Sequence, residues 1–347
     1  MKTILFHPPS PLHSGMFGSD EEIKDKENEL YAPWYYLRAR LHEKGYVATT
    51  TYKANFDLKS AHRIVFMNMP DELRSPSHRF RLNLQRIKAM VKNSTIIPKL
   101  YKKILRDGFQ EKLALMIWEP SVVVPENDRE DLHKLFPRVF TWNDRFLKKN
   151  SIYKQVRWPQ PYKISPLSPG KSFNDRKLLV NFSGNKTSNQ PRELYSERKT
   201  VIEYMRDNLP ESFDHYGPGW EGYPQWKGVV DSKFDIYPDY RFGLCYENLL
   251  GEPGYITEKI FDCLRAGCVP IYWGDPNIEK VIPPQTYVDR RKYSSTPELI
   301  QALINMNESE WNKYIEAGKE YLKSDAFKKF LPEEFARLVI QGLDLEN

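Results

Sequence analysis

The sequence is poor in cysteine and contains no long apolar run. Its 347 residues include three cysteines, Cys245, Cys263 and Cys268. An odd number without metal-site spacing is typical of buried thiols in a reducing compartment. No stretch approaches the ~20 apolar residues that a membrane-spanning helix requires. Residues 2–7 are too short an apolar segment for a secretory signal and predict a first strand. These features predict a cytoplasmic protein without a membrane anchor.

Motifs that bind phosphate through glycines or through a metal ion are also missing. The chain has no Gly-x-x-x-x-Gly-Lys-Ser/Thr sequence, which excludes a P-loop. No Gly-x-Gly-x-x-Gly fingerprint is recognised after a predicted strand, which argues against a dinucleotide-dependent enzyme. No Asp-x-Asp pair is present to hold a metal ion against a diphosphate. A diphosphate bound here would be neutralised by side chains and a helix end, and we expect no metal and no cofactor.

Positive charge is concentrated in one segment. The formal net charge is +6, yet residues 71–112 alone contain 11 Lys and Arg against four Asp and Glu. Such a segment can bind an anionic membrane or nucleic acid, or it can be the solvated face of a helix. The helical interpretation is favoured because apolar residues recur at helical spacing, namely Phe80, Leu84, Ile87 and Val91. Aromatic residues do not interleave with the charges, so we expect no nucleic-acid partner.

Strand-like and helix-like stretches alternate along the chain, which predicts an α/β fold with parallel sheets. A length of 347 residues favours two domains over one. The proline- and glycine-rich residues 153–172 show no obvious strand and are the candidate linker. The sequence therefore predicts domains at residues 1–160 and 161–347, with the last helix able to pack back on the first domain.

The stretch GYITEKIFDCLRAGCVPIYWG, residues 254–274, concentrates polar residues at the start of a predicted helix. Thr257 is a suitable N-cap, which places Glu258 and Lys259 in the first turn. The free N–H groups and the helix dipole favour an anion there, and Lys259 adds a full charge. Glu258 would repel phosphate but can accept hydrogen bonds from ribose hydroxyls. Tyr255 can stack on the same ligand, and an ordinary capped surface helix remains the alternative.

Residues 240–289 contain four sequence pieces in a fixed order: Tyr-Glu-Asn, Tyr-Ile-Thr-Glu-Lys, Pro-Ile-Tyr-Trp-Gly, and a proline followed by an aromatic residue. This combination resembles the signature region of the α-1,3/α-1,4-fucosyltransferases, glycosyltransferase family 10. The resemblance implies two facing Rossmann-like domains of the GT-B type with an interdomain cleft. It also implies GDP-β-L-fucose as donor and an inverting transfer that leaves an α-linked fucose.

The same resemblance implies roles for individual donor-site residues. Lys259 would contact the diphosphate and Glu258 the ribose hydroxyls. Tyr255 and Asn248 would line the nucleotide-sugar pocket. An arginine is also expected near the start of the helix that follows the NFSGN segment. Arg198 fits that position best, and Arg192 is the alternative because the loop before it is long.

An inverting transfer needs a carboxylate that accepts the proton of the attacking hydroxyl. Glu119 follows an apolar strand, and its segment, residues 116–127, resembles the Glu-Ser-Pro segment of the family, although Pro-Ser stands here in place of Ser-Pro. Glu119 is therefore the predicted base, and a turn-capping role is the alternative. Further candidates with weaker support are Glu126, Asp128, His62, His133 and His215.

The predicted partners are GDP-fucose and an oligosaccharide acceptor. By default for the family, the acceptor group is O3 of an N-acetylglucosamine unit, and the glycan can be lipid-linked. The basic segment suggests a peripheral position at the inner face of an anionic membrane. Two other hypotheses stay open: the same scaffold with a different GDP-sugar, and a non-catalytic protein that binds nucleotide or glycan.

Overall fold

The computed structural model describes residues 1–9, 15–18, 31–52, 56–75, 99–161 and 170–345. Contacts divide the chain into two units, Met1–Tyr162 with Phe330–Asn347, and Lys163–Lys329. The boundary lies two residues beyond the predicted division at 160/161. The last helix belongs to the first unit.

The described strands are β1 (Lys2–His7), β2 (Tyr46–Thr50), β3 (Ala61–Met67), β4 (Leu113–Met116), β5 (Val139–Thr141), β6 (Tyr153–Gln155), β7 (Lys177–Phe182), β8 (Phe213–Tyr216), β9 (Tyr240–Tyr246), β10 (Val269–Trp273) and β11 (Val288–Asp289). The described α-helices are α1 (Ala32–Glu43), α2 (Leu100–Arg106), α3 (Glu130–His133), α4 (Asp144–Leu147), α5 (Tyr195–Asn208), α6 (Glu258–Arg265), α7 (Thr296–Asn305), α8 (Glu308–Lys323), α9 (Asp325–Lys328) and α10 (Pro332–Gly342).

The first unit is a parallel sheet with strand order β2-β1-β3-β4-β5-β6. Its central strands are buried on both faces, which explains why β4 reads as the uninterrupted apolar run Leu-Ala-Leu-Met. Helix α10 covers one face together with α1, and the rings of Phe335 and Trp34 meet there edge to face with centroids 4.9 Å apart.

The second unit is a parallel sheet with strand order β11-β10-β9-β7-β8. The chain leaves β7 toward β8 on one side and returns with β9 on the other side. The order therefore reverses at the carboxyl ends of β7 and β9, where open α/β sheets bind their ligands. The residues that follow β9 are Glu247 and Asn248, and α6 leads from this region to β10.

Two sequence interpretations need correction. Residues 153–155, assigned to the linker, form β6, in which Tyr153 pairs with Val139 of β5. The run Gly217-Pro218-Gly219-Trp220-Glu221-Gly222 does have glycine-fingerprint spacing after β8, but turns and not a helix follow it. It therefore lacks the helix N-terminus that such a fingerprint needs.

The predicted helix of the basic segment falls largely on residues 76–98, outside the described residues. Across the described ranges, the structure contains no helix that is both long and apolar enough to cross a membrane. All three cysteines are buried free thiols, as predicted.

Candidate functional site

A buried carboxylate joins the end of β9 to the start of α6. Glu247 has no exposed surface. Its Oε1 accepts a hydrogen bond from the Thr257 backbone N–H at 2.8 Å, and its Oε2 accepts one from the Thr257 hydroxyl at 2.8 Å. The Lys259 ammonium also donates to Oε2, at 3.1 Å. One carboxylate thus fixes both the first residue before the helix and the lysine of its first turn.

Gly274 leaves room for this carboxylate. A Cβ atom at Gly274 would lie 2.5 Å from Glu247 Cγ and 2.8 Å from Glu247 Cβ. The strand-end sequence Tyr-Trp-Gly therefore needs its glycine because the Glu247 side chain passes against it.

Thr257 occupies the N-cap position as predicted, but its side chain does not cap the helix. The hydroxyl is used as a donor to Glu247 instead. The first-turn N–H groups of α6 therefore donate no hydrogen bond to the N-cap side chain. A helix start of this kind retains donors and a partial positive charge for an anion.

Glu258 lies in the first turn of α6 with 30% of its side chain exposed, and its Oε1 is 3.9 Å from Lys259 Nζ. Burial acts to raise the pKa of this carboxyl group, but the positive charges of Lys259 and Lys233 outweigh burial, and the net shift is downward. The group is therefore ionised near neutral pH and can accept hydrogen bonds.

Arg198 of α5 is buried against the end of β9. Its Nη2 donates to the backbone oxygens of Tyr246 and Glu247, at 2.8 and 2.5 Å, and to Asn248 Oδ1 at 2.8 Å. The Nε atom of Arg198 is buried without a hydrogen-bond partner. Burial lowers the pKa of the Arg198 guanidinium group. Among the described residues, no carboxylate forms an ion pair with Arg198, although the charge of the nearby Glu247 acts against the effect of burial on its pKa.

The network continues from Arg198 to the other predicted residues. Asn248 uses its Oδ1 for Arg198, and its Nδ2 donates to the Tyr255 hydroxyl at 3.4 Å. Tyr255 is buried. The predicted donor-site residues Arg198, Asn248, Tyr255, Glu258 and Lys259 therefore lie together around the end of β9 and the start of α6.

Arg192, the alternative arginine, has a different environment. Its Nη2 is 2.8 Å from Glu252 Oε1, and its Nη1 donates to the Leu250 backbone oxygen at 3.1 Å. Its backbone adopts a positive φ of 66°. Glu252 neutralises the charge of Arg192. Arg192 should therefore attract an anion less strongly than Arg198 does.

Sequence reasoning missed Glu247 as a member of this site. The signal was present, since a glutamate directly after the apolar strand β9 must either reach solvent or find donors. The partner Thr257 lies ten residues further on, and its use as a donor to a carboxylate could not be read from its position before a helix.

In the first unit, Glu119 follows β4 and is half-buried. Its backbone is held by two asparagines. Asn68 Oδ1 accepts the Glu119 N–H at 2.7 Å and the Trp118 N–H at 2.9 Å. Asn127 Nδ2 donates both to Asn68 Oδ1 and to the Glu119 backbone oxygen, each at 2.8 Å. The position of this candidate base is therefore specified by buried side chains.

The weaker base candidates have structural partners. Glu126 is buried and accepts the Ser75 N–H at 2.8 Å, and Asp128 pairs with Arg145 at 3.0 Å. His133 is buried between the Tyr153 hydroxyl and the Asn127 backbone oxygen, and burial lowers its pKa.

The other two histidine candidates, His62 and His215, also lie beside aromatic rings. His215 is buried beside Trp220, with ring centroids 5.1 Å apart, and burial lowers its pKa to about 4. The His62 ring is 5.4 Å from that of Tyr46. These environments are typical of histidines that fill a core or pack on a strand.

The architecture is that of known GT-B glycosyltransferases. A crystal structure of α1,3-fucosyltransferase with GDP-fucose matches with a TM-score of 0.52 at 16% identity, covering 99% of this chain and 91% of the other. An α-glucosyltransferase in complex with UDP and DNA matches with a TM-score of 0.53 at 10% identity, covering 98% and 99%. At these identities the likeness establishes the fold, which confirms the predicted α/β class with two Rossmann-like sheets.

Residues 177–334 match the family model described as glycosyltransferase family 10 (fucosyltransferase) C-term. This match covers most of the second unit and includes residues 240–289, in agreement with the predicted signature. The chain is 32% identical over 113 residues to the alpha-(1,3)-fucosyltransferase FucT of Helicobacter pylori, covering 29% of this chain and 23% of that protein. It is 43% identical over 93 residues to the alpha-(1,4)-fucosyltransferase of Arabidopsis thaliana, covering 21% and 23%. The matches thus span about a quarter of these relatives.

Proposed function

We propose that this protein is a fucosyltransferase that moves L-fucose from GDP-β-L-fucose to a hydroxyl group of an oligosaccharide. The observation that carries the proposal is the cluster at the start of α6. There Glu258, Lys259 and the buried Arg198 lie around a helix end without a side-chain cap, in a unit that matches the family 10 model.

The diphosphate would be bound by cations and the helix end. An ammonium group has three N–H donors. Lys259 uses two of them, on Glu247 and on the Thr257 hydroxyl, which leaves one for a phosphate oxygen. Arg198 would supply a second cation. This set offers two positive charges and several N–H groups to the leaving diphosphate, so no metal ion is needed in the proposal.

The ionised Glu258 would accept hydrogen bonds from the ribose hydroxyls, and Asn248 and Tyr255 would line the pocket of the nucleotide sugar. These residues recognise features that all GDP-sugars share. A different GDP-sugar on the same scaffold is therefore the second candidate function, and it differs only in the transferred sugar.

In the proposed reaction, the oxygen of an acceptor hydroxyl forms a bond to the anomeric carbon of fucose while the bond from that carbon to GDP breaks. The proton of the hydroxyl passes to the carboxylate of Glu119, and GDP leaves with the bonding electron pair. Direct displacement inverts the β-linked donor to an α-linked product. The Glu119 backbone N–H donates to Asn68 and the Glu119 backbone oxygen accepts from Asn127, and these two hydrogen bonds support this role, since a general base must be positioned well.

Transfer to O3 of an N-acetylglucosamine unit, a lipid-linked acceptor and a peripheral location at the inner face of an anionic membrane stay predictions from the sequence. Incubation with GDP-fucose and N-acetyllactosamine, followed by mass and linkage analysis of the product, tests the acceptor.

Thermal unfolding in EDTA tests the donor. GDP, GDP-fucose, UDP, CDP and ADP are added separately, and a ligand at 100 times its Kd should stabilise the protein by about 2.7 kcal/mol. Stabilisation by GDP and GDP-fucose alone would support the proposal and a metal-free site. Stabilisation by another nucleotide alone would overturn it.

A further inference from the structure

A fully buried histidine on β8 has no partner for either of its ring nitrogens. His215 has no exposed surface. Its Nδ1 and Nε2 are both buried, and neither forms a hydrogen bond to any of the described residues. The imidazole lies among the rings of Phe213, Trp220 and Tyr223, with centroids 5.7, 5.1 and 5.8 Å away. A buried polar group without a partner costs free energy, so the fold holds this side chain under a penalty.

The buried histidine of the first unit shows what His215 lacks. His133 Nδ1 is 3.1 Å from the Tyr153 hydroxyl oxygen, and His133 Nε2 is 3.0 Å from the Asn127 backbone oxygen. A neutral imidazole has one donor and one acceptor nitrogen, and His133 uses both. His215 uses neither, so its burial is supported only by the packing of its ring.

A loop closes over His215. It consists of residues 217–228 and is called the strap below. The Gly217 N–H donates to the Gly228 backbone oxygen at 2.9 Å, so the two ends of the strap are adjacent, as in an Ω-loop. Both end glycines have a positive φ, of 128° and 93°, which glycine adopts without steric cost. Trp220 is buried, and the other residues of the strap are half-buried or exposed.

The strap is held at the edge of the sheet and at the end of β7. The His215 N–H donates to the Gln225 backbone oxygen at 3.0 Å, and the Lys227 N–H donates to the His215 backbone oxygen at 2.9 Å. These two bonds cover the outer edge of β8, the last strand of its sheet. Trp220 Nε1 donates to the backbone oxygen of Ser183, directly after β7, at 2.7 Å. The indole that packs on His215 therefore also fastens the strap.

The charges near His215 do not offset its burial. The charged and titratable side chains on the elements around it are Lys177 on β7, Asp214 on β8, Arg206 on α5, and Glu221, Tyr223 and Lys227 on the strap. Asp214 is paired with Lys177 at 2.6 Å and with Lys227 at 3.5 Å. Burial lowers the pKa of His215 to about 4, and the charge of Asp214 opposes this shift only in part. An imidazole in water has a pKa of about 6.5.

We infer that His215 and the strap form an acid-operated switch, in which a proton on the imidazole opens the strap. An imidazolium has two N–H donors. The closed strap offers neither of them an acceptor among the described residues, whereas an open strap admits water. Because the closed form binds the proton more weakly, its stability relative to the open form is lost as the pH falls from about 6.5. The inference goes beyond the proposed function and does not rest on it.

Opening would change the second sheet in two places. The backbone N–H and oxygen of His215 would lose Gln225 and Lys227 as partners, which leaves an unpaired strand edge. The backbone oxygen of Ser183 would lose the Trp220 indole at the carboxyl end of β7. Acid would therefore loosen the sheet at its outer edge and next to one of the two strands whose carboxyl ends flank the candidate site.

Hydrogen–deuterium exchange of the full chain between pH 4.5 and 8 tests the inference, after correction for the intrinsic pH dependence of amide exchange. In the wild type, the protection of peptides from residues 217–228 should fall about tenfold for each pH unit below about 6.5, and should be constant above it. Peptides from β9, at the centre of the same sheet, provide the internal reference.

Two substitutions remove the titrating group. His215→Phe keeps a ring among the other aromatic rings, and His215→Leu places a smaller apolar side chain there. In both variants the strap should lose its pH dependence, and at pH 5 its protection should exceed that of the wild type by about tenfold or more. Misfolding cannot produce such a gain. The matched control is His62→Phe, a half-buried ring beside Tyr46 in the first unit, which should keep the wild-type pH dependence.

Either of two results would overturn the switch. The first is a wild-type strap whose protection does not fall below pH 6.5. The second is a wild-type pH dependence that persists in both His215→Phe and His215→Leu. It would assign the effect to another acid-sensitive contact, such as the ion pair between Asp214 and Lys227. Neither result bears on the proposed function, because no step of that function uses the strap.

Discussion

Lys259 Nζ lies 3.1 Å from Oε2 of the fully buried Glu247 carboxylate. The lysine that would meet a diphosphate is therefore already oriented by the protein before any ligand binds. Orientation in advance lowers the entropic cost of binding, because a long flexible side chain has been ordered during folding. Glu247 also accepts both donors of Thr257, so the lysine and the helix start are fixed by the same group.

Glu247→Gln should destabilise the protein by about 3 kcal/mol, since removing one charge of a buried pair leaves the other poorly compensated. Urea unfolding measures this loss. Glu279→Gln provides the matched control because the Glu279–Arg291 pair is largely exposed, and it should change stability by at most about 1 kcal/mol. Equal losses in the two variants would contradict the role assigned to Glu247.

The two arginines should respond differently to substitution. Arg198→Met should weaken GDP binding by about 2 kcal/mol, because a charge-assisted contact to the diphosphate is lost. Arg192→Met should instead lower stability, since it removes the ion pair between Arg192 and the buried Glu252, and should change GDP affinity little. Calorimetry and urea unfolding on both variants separate the effects. A large loss of GDP affinity in Arg192→Met with none in Arg198→Met would reverse the assignment.

The ionisation of Glu258 predicts a specific pH dependence of stability. Its pKa in the folded protein lies below its ordinary value of 4.5. A lowered pKa contributes stability that is present above pH 4.5 and is lost as the pH falls through the folded-state value. The difference in unfolding free energy between wild type and Glu258→Gln should therefore shrink below pH 4.5. Urea unfolding from pH 3 to 7 checks this, and a difference that grows on acidification would refute it.

Lys233→Met tests the cause of that shift. Removing one of the two cations that lower the pKa of Glu258 should bring this pKa closer to 4.5. The loss on acidification should then be smaller than in the wild type and be complete at a higher pH. An unchanged profile would show that Lys233 does not contribute to the shift.

Gly274→Ala should destabilise the protein by about 1–3 kcal/mol, because its Cβ would lie 2.5 Å from Glu247 Cγ. Gly15→Ala is the control, since a Cβ at Gly15 meets nothing within 4 Å. Thermal unfolding compares the two. A neutral Gly274→Ala would mean that Glu247 can shift without loss of its partners.

The sequence predicted the strands and helices that carry strong periodicity or long apolar runs, and it predicted that residues 240–289 hold the site. It failed at β6, because a three-residue strand within a proline-rich segment is stabilised by its ladder with β5 and not by its own pattern. It gave no sign of the pairing that distinguishes Arg192 from Arg198, since Arg192 pairs with Glu252, sixty residues away in the chain. Long-range partners of this kind become visible only in three dimensions.

Glu119→Gln should abolish most turnover while leaving GDP binding nearly intact. A general base contributes roughly 10²–10⁴ in rate, and the amide cannot accept the proton of the acceptor hydroxyl. The substitution keeps the shape of the side chain and does not alter the backbone groups that Asn68 and Asn127 hold, so the fold should be retained. GDP release from GDP-fucose and acceptor measures turnover, and calorimetry measures GDP affinity.

Glu126→Gln is the matched control for Glu119→Gln. Glu126 is close to Glu119 in the sequence, is buried, and accepts a hydrogen bond from the Ser75 N–H. It should lower stability and retain turnover in the protein that stays folded. Full turnover in Glu119→Gln would remove Glu119 as the base. Loss of both turnover and GDP binding would assign it a structural role instead, because a base that acts on the acceptor hydroxyl has no contact with GDP to lose.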